Sequence, residues 1–222
     1  MHLMTVFAHP YTDKYPAAVL TRFVEPFRTA SYSVDILDLH AEHFDPRFTT
    51  DDHAHFWGGP VPADIAEMHR RIERADKLAF VFPVYWWGMP AIMKGWIERV
   101  FTPGWAYQYG KGVEDRGKAP LSSLLGNVPT VLIGIGGSTQ ATYDKYGYAD
   151  AMRTQIDVGT FAYCGITDVE SHLIFNVEGE HNAPNRRQGL TMVEGIAHTF
   201  MSPERAVRNA KQDHLRARGF AA

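Results

Sequence analysis

The chain has 222 residues, a formal net charge of −3, 45% hydrophobic and 21% charged residues, and one cysteine. That length predicts one large domain rather than two, and a single thiol, Cys164, excludes an intrachain disulfide. The slightly acidic balance offers no field for a nucleic-acid backbone, no apolar run approaches the ~18 residues of a membrane-spanning helix, and the opening MHLMTVFAHP lacks an export signal, so a cytoplasmic protein is expected.

The first apolar run, His2 to His9, predicts a buried strand that stops at His9-Pro10. Val19, Leu20, Phe23, Val24 and Phe27 recur at helical steps and predict a helix from Tyr15 to Ala30, with Pro26 in its last turn. Ser33 to Leu39 alternates apolar and polar positions, as a strand near a sheet edge does. From His40 to Pro62 no period is sustained, and a long surface excursion is expected. Helical spacing resumes with Ile65, Met68, Ile72 and Ala75 and leads into Lys77 to Phe82, which predicts a central strand. Pro83 to Gly88 makes a turn, and Pro90 opens a helix whose apolar face holds Ile92, Met93, Trp96, Ile97, Val100 and Phe101. Gly95 inside that helix costs ~1 kcal/mol relative to alanine, which predicts a close backbone approach there. Tyr109 to Lys118 is expected to be a loop, Thr130 to Ile135 a buried strand, about Asp150 to Tyr163 a helix, Val169 to Val177 a strand, and about Pro184 to Met201 a last helix. The domain is expected to span 1–202, with 203–222 a C-terminal tail.

Five apolar strands separated by helical stretches predict an α/β domain with a doubly wound parallel sheet covered on both faces. Ligands of such sheets bind beyond the carboxyl ends of the strands, so His9 to Tyr15, Pro83 to Gly88 and Gly136 to Tyr143 are the loops expected to carry chemistry. The middle one is the most unusual. Ten of the 28 aromatic residues fall between Phe80 and Tyr109, four of the five tryptophans among them, and Trp86 and Trp87 are adjacent. Two tryptophans at the mouth of a parallel sheet leave a large apolar surface unless a flat ligand or a partner covers it, or unless they fill core under neighbouring loops. Gly136-Gly137 permits a ligand to approach the backbone, although a simple turn explains it equally well, and Tyr143 offers a hydroxyl just beyond. The first loop places hydroxyls, Lys14 and a helix N-terminus where an anion can sit.

Other constellations are discounted. Neither the dinucleotide nor the triphosphate glycine motif occurs. Asp38, His40, Glu42, His43, Asp51, Asp52, His53 and His55 fit no zinc spacing, Ser138 lacks the hydrolase elbow, and Cys164 lies in an apolar neighbourhood that suits an inert buried thiol. No metal is expected.

The block from Phe82 to Phe101, FPVYWWGMPAIMKGWIERVF, followed by Gly104-Trp-Ala-Tyr107-Gln-Tyr109, resembles the signature of the NAD(P)H:quinone oxidoreductases, whose relatives include bacterial modulators of drug activity and potassium-efflux ancillary flavoproteins. The likeness runs from Val6-Phe-Ala-His9 through Gly136-Gly137-Ser138 and Tyr163-Cys-Gly165 to about residue 200. It implies a flavodoxin-like sheet of order 2-1-3-4-5, non-covalent FAD or else FMN, NADH or NADPH as donor, a homodimer, and two-electron ping-pong transfer to a quinone or similar acceptor. By matching position, His9, Lys14, Tyr15 and Ala17 belong to the cofactor's phosphate and ribityl region. Pro83, Val84, Tyr85, Trp86 and Trp87 embrace its ring, and Gly136, Gly137 and Tyr143 cover the other edge, with Tyr143 catalytic. Tyr107, Tyr109 and Tyr163 would line the nicotinamide and quinone pocket across the dimer. The chain departs from the pattern at Lys14 and Pro16, where the family commonly has Ser and Asn. It departs again where the family's histidine beyond the tyrosine would stand, since a gap-free count from Tyr143 reaches Ala149; His181 is the alternative histidine. The same resemblance leaves two other readings open, a redox-sensing ancillary subunit of a membrane transporter and a one-electron carrier.

Overall fold

Five parallel strands form the central sheet: β1 (His2–Phe7), β2 (Ser33–Asp38), β3 (Lys77–Pro83), β6 (Thr130–Ile135) and β7 (Val169–Ile174), in the order β2-β1-β3-β6-β7. Counted within the sheet this is 2-1-3-4-5, so the chain has the flavodoxin-like α/β architecture. The structure is a computed structural model and describes residues 1–109 and 121–202, with only the backbone of Tyr109. The loop expected from Tyr109 to Lys118, apart from Tyr109 itself, and the tail 203–222 lie outside the described residues.

The layers follow from strand alternation. Met4 and Val6 of β1, Phe80 and Phe82 of β3 and Leu132 of β6 face one core, against α3 (Ala63–Arg74) and α4 (Ala91–Val100). Leu3 and Phe7, Ala79 and Val81, and Val131 and Ile133 face the other, against α1 (Tyr15–Thr29) and α7 (Ala183–Met201). β3 is buried at every position, as its unbroken apolar run predicts, whereas β2 and β7 at the edges are mostly half-buried. Among the described residues no helix is long and apolar enough to cross a membrane.

Four parts differ from the sequence-based expectation. The excursion from His40 to Pro62 contains a helix, α2 (Thr50–Phe56), closed by a capping box between Thr49 and Asp52. Asp52 is buried there and also pairs with Arg99 of α4 at 2.9 Å, which gives the short helix the tertiary anchor that its own length does not. A small antiparallel pair, β4 (Tyr107–Tyr109) and β5 (Leu121–Ser123), brackets the undescribed segment. The helix expected from Asp150 begins earlier, as α5 (Gln140–Tyr146) and α6 (Tyr148–Arg153) separated by Gly147 at φ 68°, and continues as a π-helix over Thr154–Phe161. The last strand stops at Ile174 rather than Val177, where Asn176 turns the chain at φ 55°.

Cys164 is buried and desolvation pushes its thiol up to about 12, so it stays protonated. Iodoacetamide is therefore expected to label the native protein at least tenfold more slowly than the urea-unfolded chain, read by intact mass. Equal rates would place the thiol at the surface.

Candidate active site

Three loops meet beyond the carboxyl ends of β1, β3 and β6. After β3, Tyr85 and Gly88 exchange both backbone hydrogen bonds at 3.1 Å, closing a two-residue turn whose central residues are Trp86 at φ 48° and Trp87 at φ 60°. Positive φ at both positions defines a turn that normally carries Asn-Gly, and a bulky side chain in that region costs about 1–3 kcal/mol. The side chains explain how it persists on one side only. Trp87 stacks on Tyr148 with centroids 3.8 Å apart and planes 12° apart, and meets the Tyr143 ring edge-on at 5.3 Å. Trp86 is 94% exposed, which rules out the reading that it fills core. The N–H groups of Trp86 and Trp87 have no partner among the described residues.

Opposite lies the loop after β6. A Cβ on Gly136 would meet the Tyr143 hydroxyl at 2.8 Å, so glycine is required for that hydroxyl to lie against the backbone. Tyr143 is 1% exposed and also packs edge-on to Phe175 at 4.9 Å. Its hydroxyl makes no hydrogen bond among the described residues, and burial raises its pKa, so it remains a proton donor through neutral pH. Gly137 faces the Glu178 carboxylate, an exposed side chain free to swing aside. The N–H groups of Gly137 and Ser138 also lack partners among the described residues.

The loop after β1 enters α1 through Lys14, whose ammonium pairs with Asp13 at 3.1 Å, and the first turn of α1 holds no acidic residue. His9 is half-buried, with Nδ1 2.9 Å from the carbonyl of Tyr11. Tyr15 reaches α7, and Ala17 faces the core. The Tyr15 hydroxyl donates to the Arg186 carbonyl at 2.9 Å, burial holds its pKa near about 12, and Ala17 belongs to the core between α1 and the sheet.

Tyr107 and Tyr163 meet edge-on at 5.2 Å. The end of β5 joins them: Ser123 Oγ donates to the Tyr163 carbonyl at 2.9 Å, and Leu124, just beyond the strand, donates to that of Ala106 at 2.9 Å. The Tyr109 side chain lies outside the described residues. Among the described residues no ring contact links this pair to Trp87 and Tyr143. Pro83 is buried at the end of β3 and Val84 packs under the turn, donating to the Ile135 carbonyl at 2.8 Å, while Tyr85 is 51% exposed.

Tyr148 is the residue that sequence reasoning missed. It precedes Ala149, the position reached by the gap-free count, and its flat contact with Trp87 supports the strained turn. A helix start at Gln140 would have placed it five residues, roughly one and a half turns, beyond Tyr143. His181 lies over Gly179 and against Asn182 in the loop after β7. The Asp and His residues between Asp38 and His55 form no metal cluster among the described residues.

A family model described as flavodoxin-like fold matches residues 1–194. The chain is 30% identical to an uncharacterized NAD(P)H oxidoreductase of Haemophilus influenzae, over 80% of this chain and 85% of that protein. It is 27% identical to NAD(P)H dehydrogenase (quinone) 1 of Rattus norvegicus, over 86% and 73% respectively. An NAD(P)H:quinone oxidoreductase of Methanothermobacter marburgensis shares its fold with a TM-score of 0.77 at 25% identity, covering 91% of this chain and 96% of that one.

Proposed function

From the premise that this chain belongs to the family of flavodoxin-like fold, and is an oxidoreductase within it, we propose that it is a flavin-dependent NAD(P)H:quinone oxidoreductase. The observation that carries this reading is the mouth itself: four backbone N–H groups, at Trp86, Trp87, Gly137 and Ser138, and one buried phenol, at Tyr143, that have no partner among the described residues. Unmade hydrogen bonds at a glycine-lined opening fit a planar group edged with carbonyl oxygens and nitrogens, which is what an isoalloxazine presents. The N-terminus of α1, free of acidic residues in its first turn and flanked by Lys14, fits the phosphate, with His9 beside it.

Flavin, when bound, supplies the two-electron chemistry that accepts from NADH or NADPH and gives to a quinone. The chain's residues position it and handle charge. Val84, Tyr85 and the tryptophan turn form one wall, with Trp87 held by Tyr148. The N–H groups of the turn and the Tyr143 hydroxyl, which lies against Gly136, would hold such a ring and would offer it hydrogen-bond donors for the negative charge that reduction brings. FAD is the proposed form, with FMN carrying the same ring.

Two copies are proposed to complete the site. Among the described residues the Tyr107 and Tyr163 pair meets no ring of the Trp87 group, and Trp86 and Tyr85 are exposed; a partner bringing its tyrosines over the turn would cover them. Light scattering at micromolar concentration is expected to give twice the 25.0 kDa chain mass.

Steady-state NAD(P)H oxidation tests the reading. Dependence on added quinone, with parallel double-reciprocal lines as both substrates are varied, is the expected result; turnover without flavin, or no turnover with any quinone, would overturn it.

Trp86→Asn separates the turn's strain from its use. Asparagine tolerates the left-handed region and an exposed ring gives up little packing, so stability is expected to rise by about 1 kcal/mol, or about 2–4 °C in Tm. Flavin affinity is expected to fall. A lower Tm would show that Trp86 stabilises the free fold.

A further inference from the structure

The loop that follows β7 is fastened on two sides. Toward the mouth, Gly136 N–H donates to the Ile174 carbonyl at 2.7 Å and Asn176 N–H donates to the Ser138 carbonyl at 2.9 Å, so the loop runs along the paired glycines. Toward α7, the buried Asn182 amide donates to Asn176 Oδ1 at 3.1 Å and to the Glu178 carbonyl, and the Asn176 amide returns a bond to Asn182 Oδ1 at 3.2 Å. Arg186 Nη1 donates to the carbonyls on either side of Glu178, those of Val177 and Gly179, each at 2.7 Å. The backbone of an exposed loop is thus held in one place.

That framework presents one carboxylate to the mouth. A Cβ on Gly137 would overlap Glu178 Oε1 and stand 3.0 Å from Oε2, so the carboxylate rests on the glycine backbone. The side chain is exposed and can turn, but its fixed backbone keeps the charge at the rim. Arg186 is engaged by carbonyls, and among the described residues no ion pair neutralises Glu178. A charge at the edge of an apolar opening is screened less than one in bulk water, and it acts on any charged ligand that enters.

We propose that Glu178 sets the charge preference of the site for its acceptor. Aromatic acceptors that are neutral or carry a cationic substituent are favoured, and those with a sulfonate or carboxylate on the ring are disfavoured. The carboxylate repels an anionic group that would otherwise meet the N–H groups of Gly137 and Ser138, and attracts a cationic one. This inference names the acceptor class of the oxidoreductase reading and rests on it for turnover.

Three quinones test it: menadione, a naphthoquinone sulfonate, and a naphthoquinone bearing a trimethylammonium group. Each compound is compared between wild type and Glu178→Gln, so differences in reduction potential among the quinones cancel. In the variant the kcat/KM ratio of sulfonate to menadione is expected to rise about fivefold at low salt, and that of the cationic quinone to menadione to fall about as much, both shifts shrinking at high salt. Glu178→Lys should carry both ratios further in the same direction. Naphthalene sulfonate and naphthylmethylammonium, titrated by calorimetry into each protein as purified, give a readout without turnover, and their affinity ratio should shift the same way. Ratios unchanged in both variants overturn the proposal and leave the oxidoreductase reading standing. Protein that reduces no quinone removes that reading, and calorimetry then decides: a shifted affinity ratio sustains the charge preference of the mouth, and an unshifted one ends it.

Discussion

Replacing Tyr143 by phenylalanine is expected to slow reduction of bound flavin by NAD(P)H about 100-fold while leaving flavin affinity within about twofold, as removal of one well-placed donor to developing charge does. The asymmetry comes from the contacts. The ring is what packs, edge-on to Trp87 at 5.3 Å and to Phe175 at 4.9 Å, and phenylalanine keeps both contacts. The hydroxyl contributes nothing to the free fold through hydrogen bonding among the described residues, so its removal should not lower the Tm. Burial holds the phenol above the usual tyrosine range, and the wild-type rate should therefore be level from pH 6 to 9, with any fall only at higher pH as the proton is lost. Stopped-flow absorbance on wild type and variant gives both numbers. An unchanged reductive rate would remove Tyr143 from the chemistry, and loss of flavin would make it a packing residue.

The largest expected effect on stability is at Gly95→Ala. A Cβ at that position of α4 would stand 2.6 Å from the Pro46 Cβ and 2.9 Å from its Cα, and closer still to its carbonyl oxygen. These are backbone and ring atoms that cannot step aside singly, so the 45–46 segment must lift off the helix. That movement strains the bond by which Arg99 Nη1 donates to the Asp45 carbonyl at 2.9 Å, next to the buried Asp52 pair. Helix propensity alone would favour alanine by ~1 kcal/mol. Overpacking of this kind outweighs it, and a net loss of about 3 kcal/mol, or roughly 6–12 °C in Tm, is expected. Thermal unfolding followed by circular dichroism measures it; a Tm at or above wild type would mean that the segment yields freely.

Gly95 also shows what the sequence made legible. A glycine inside an otherwise strong amphipathic helix has no local reason to be there, and the close approach predicted from that mismatch is the contact with Pro46. The central strands were legible for a similar reason, because a strand buried on both faces, such as β3, must be close to continuously apolar, and the edge strand β2 was legible from its alternation. Helix α2 was not. Its seven residues are too few to show a period, and its stability comes from a capping box and from Arg99, 47 residues away. Strands β4 and β5 are three residues each and flank an intervening segment, so neither has a pattern of its own. At the site, the position of the turn was readable from Pro83 and Gly88, but its left-handed backbone was not, since Trp-Trp contradicts the turn chemistry that normally announces it. Tyr148 escaped because its role depends on a helix break at Gly147 that turns it back onto Trp87.

The mouth formed by the tryptophan turn, the paired glycines and Tyr143 is proposed to hold a flavin that cycles between NAD(P)H and a quinone. Anaerobic mixing of flavin-loaded protein with NADH or NADPH, followed by a quinone, tests it in one trace. The expected result is a yellow protein whose absorbance at ~450 nm, a property of the cofactor, bleaches with the nucleotide and returns in full with the quinone. A protein that stays colourless after incubation with FAD and with FMN, or whose absorbance the nucleotides leave unchanged, would contradict it.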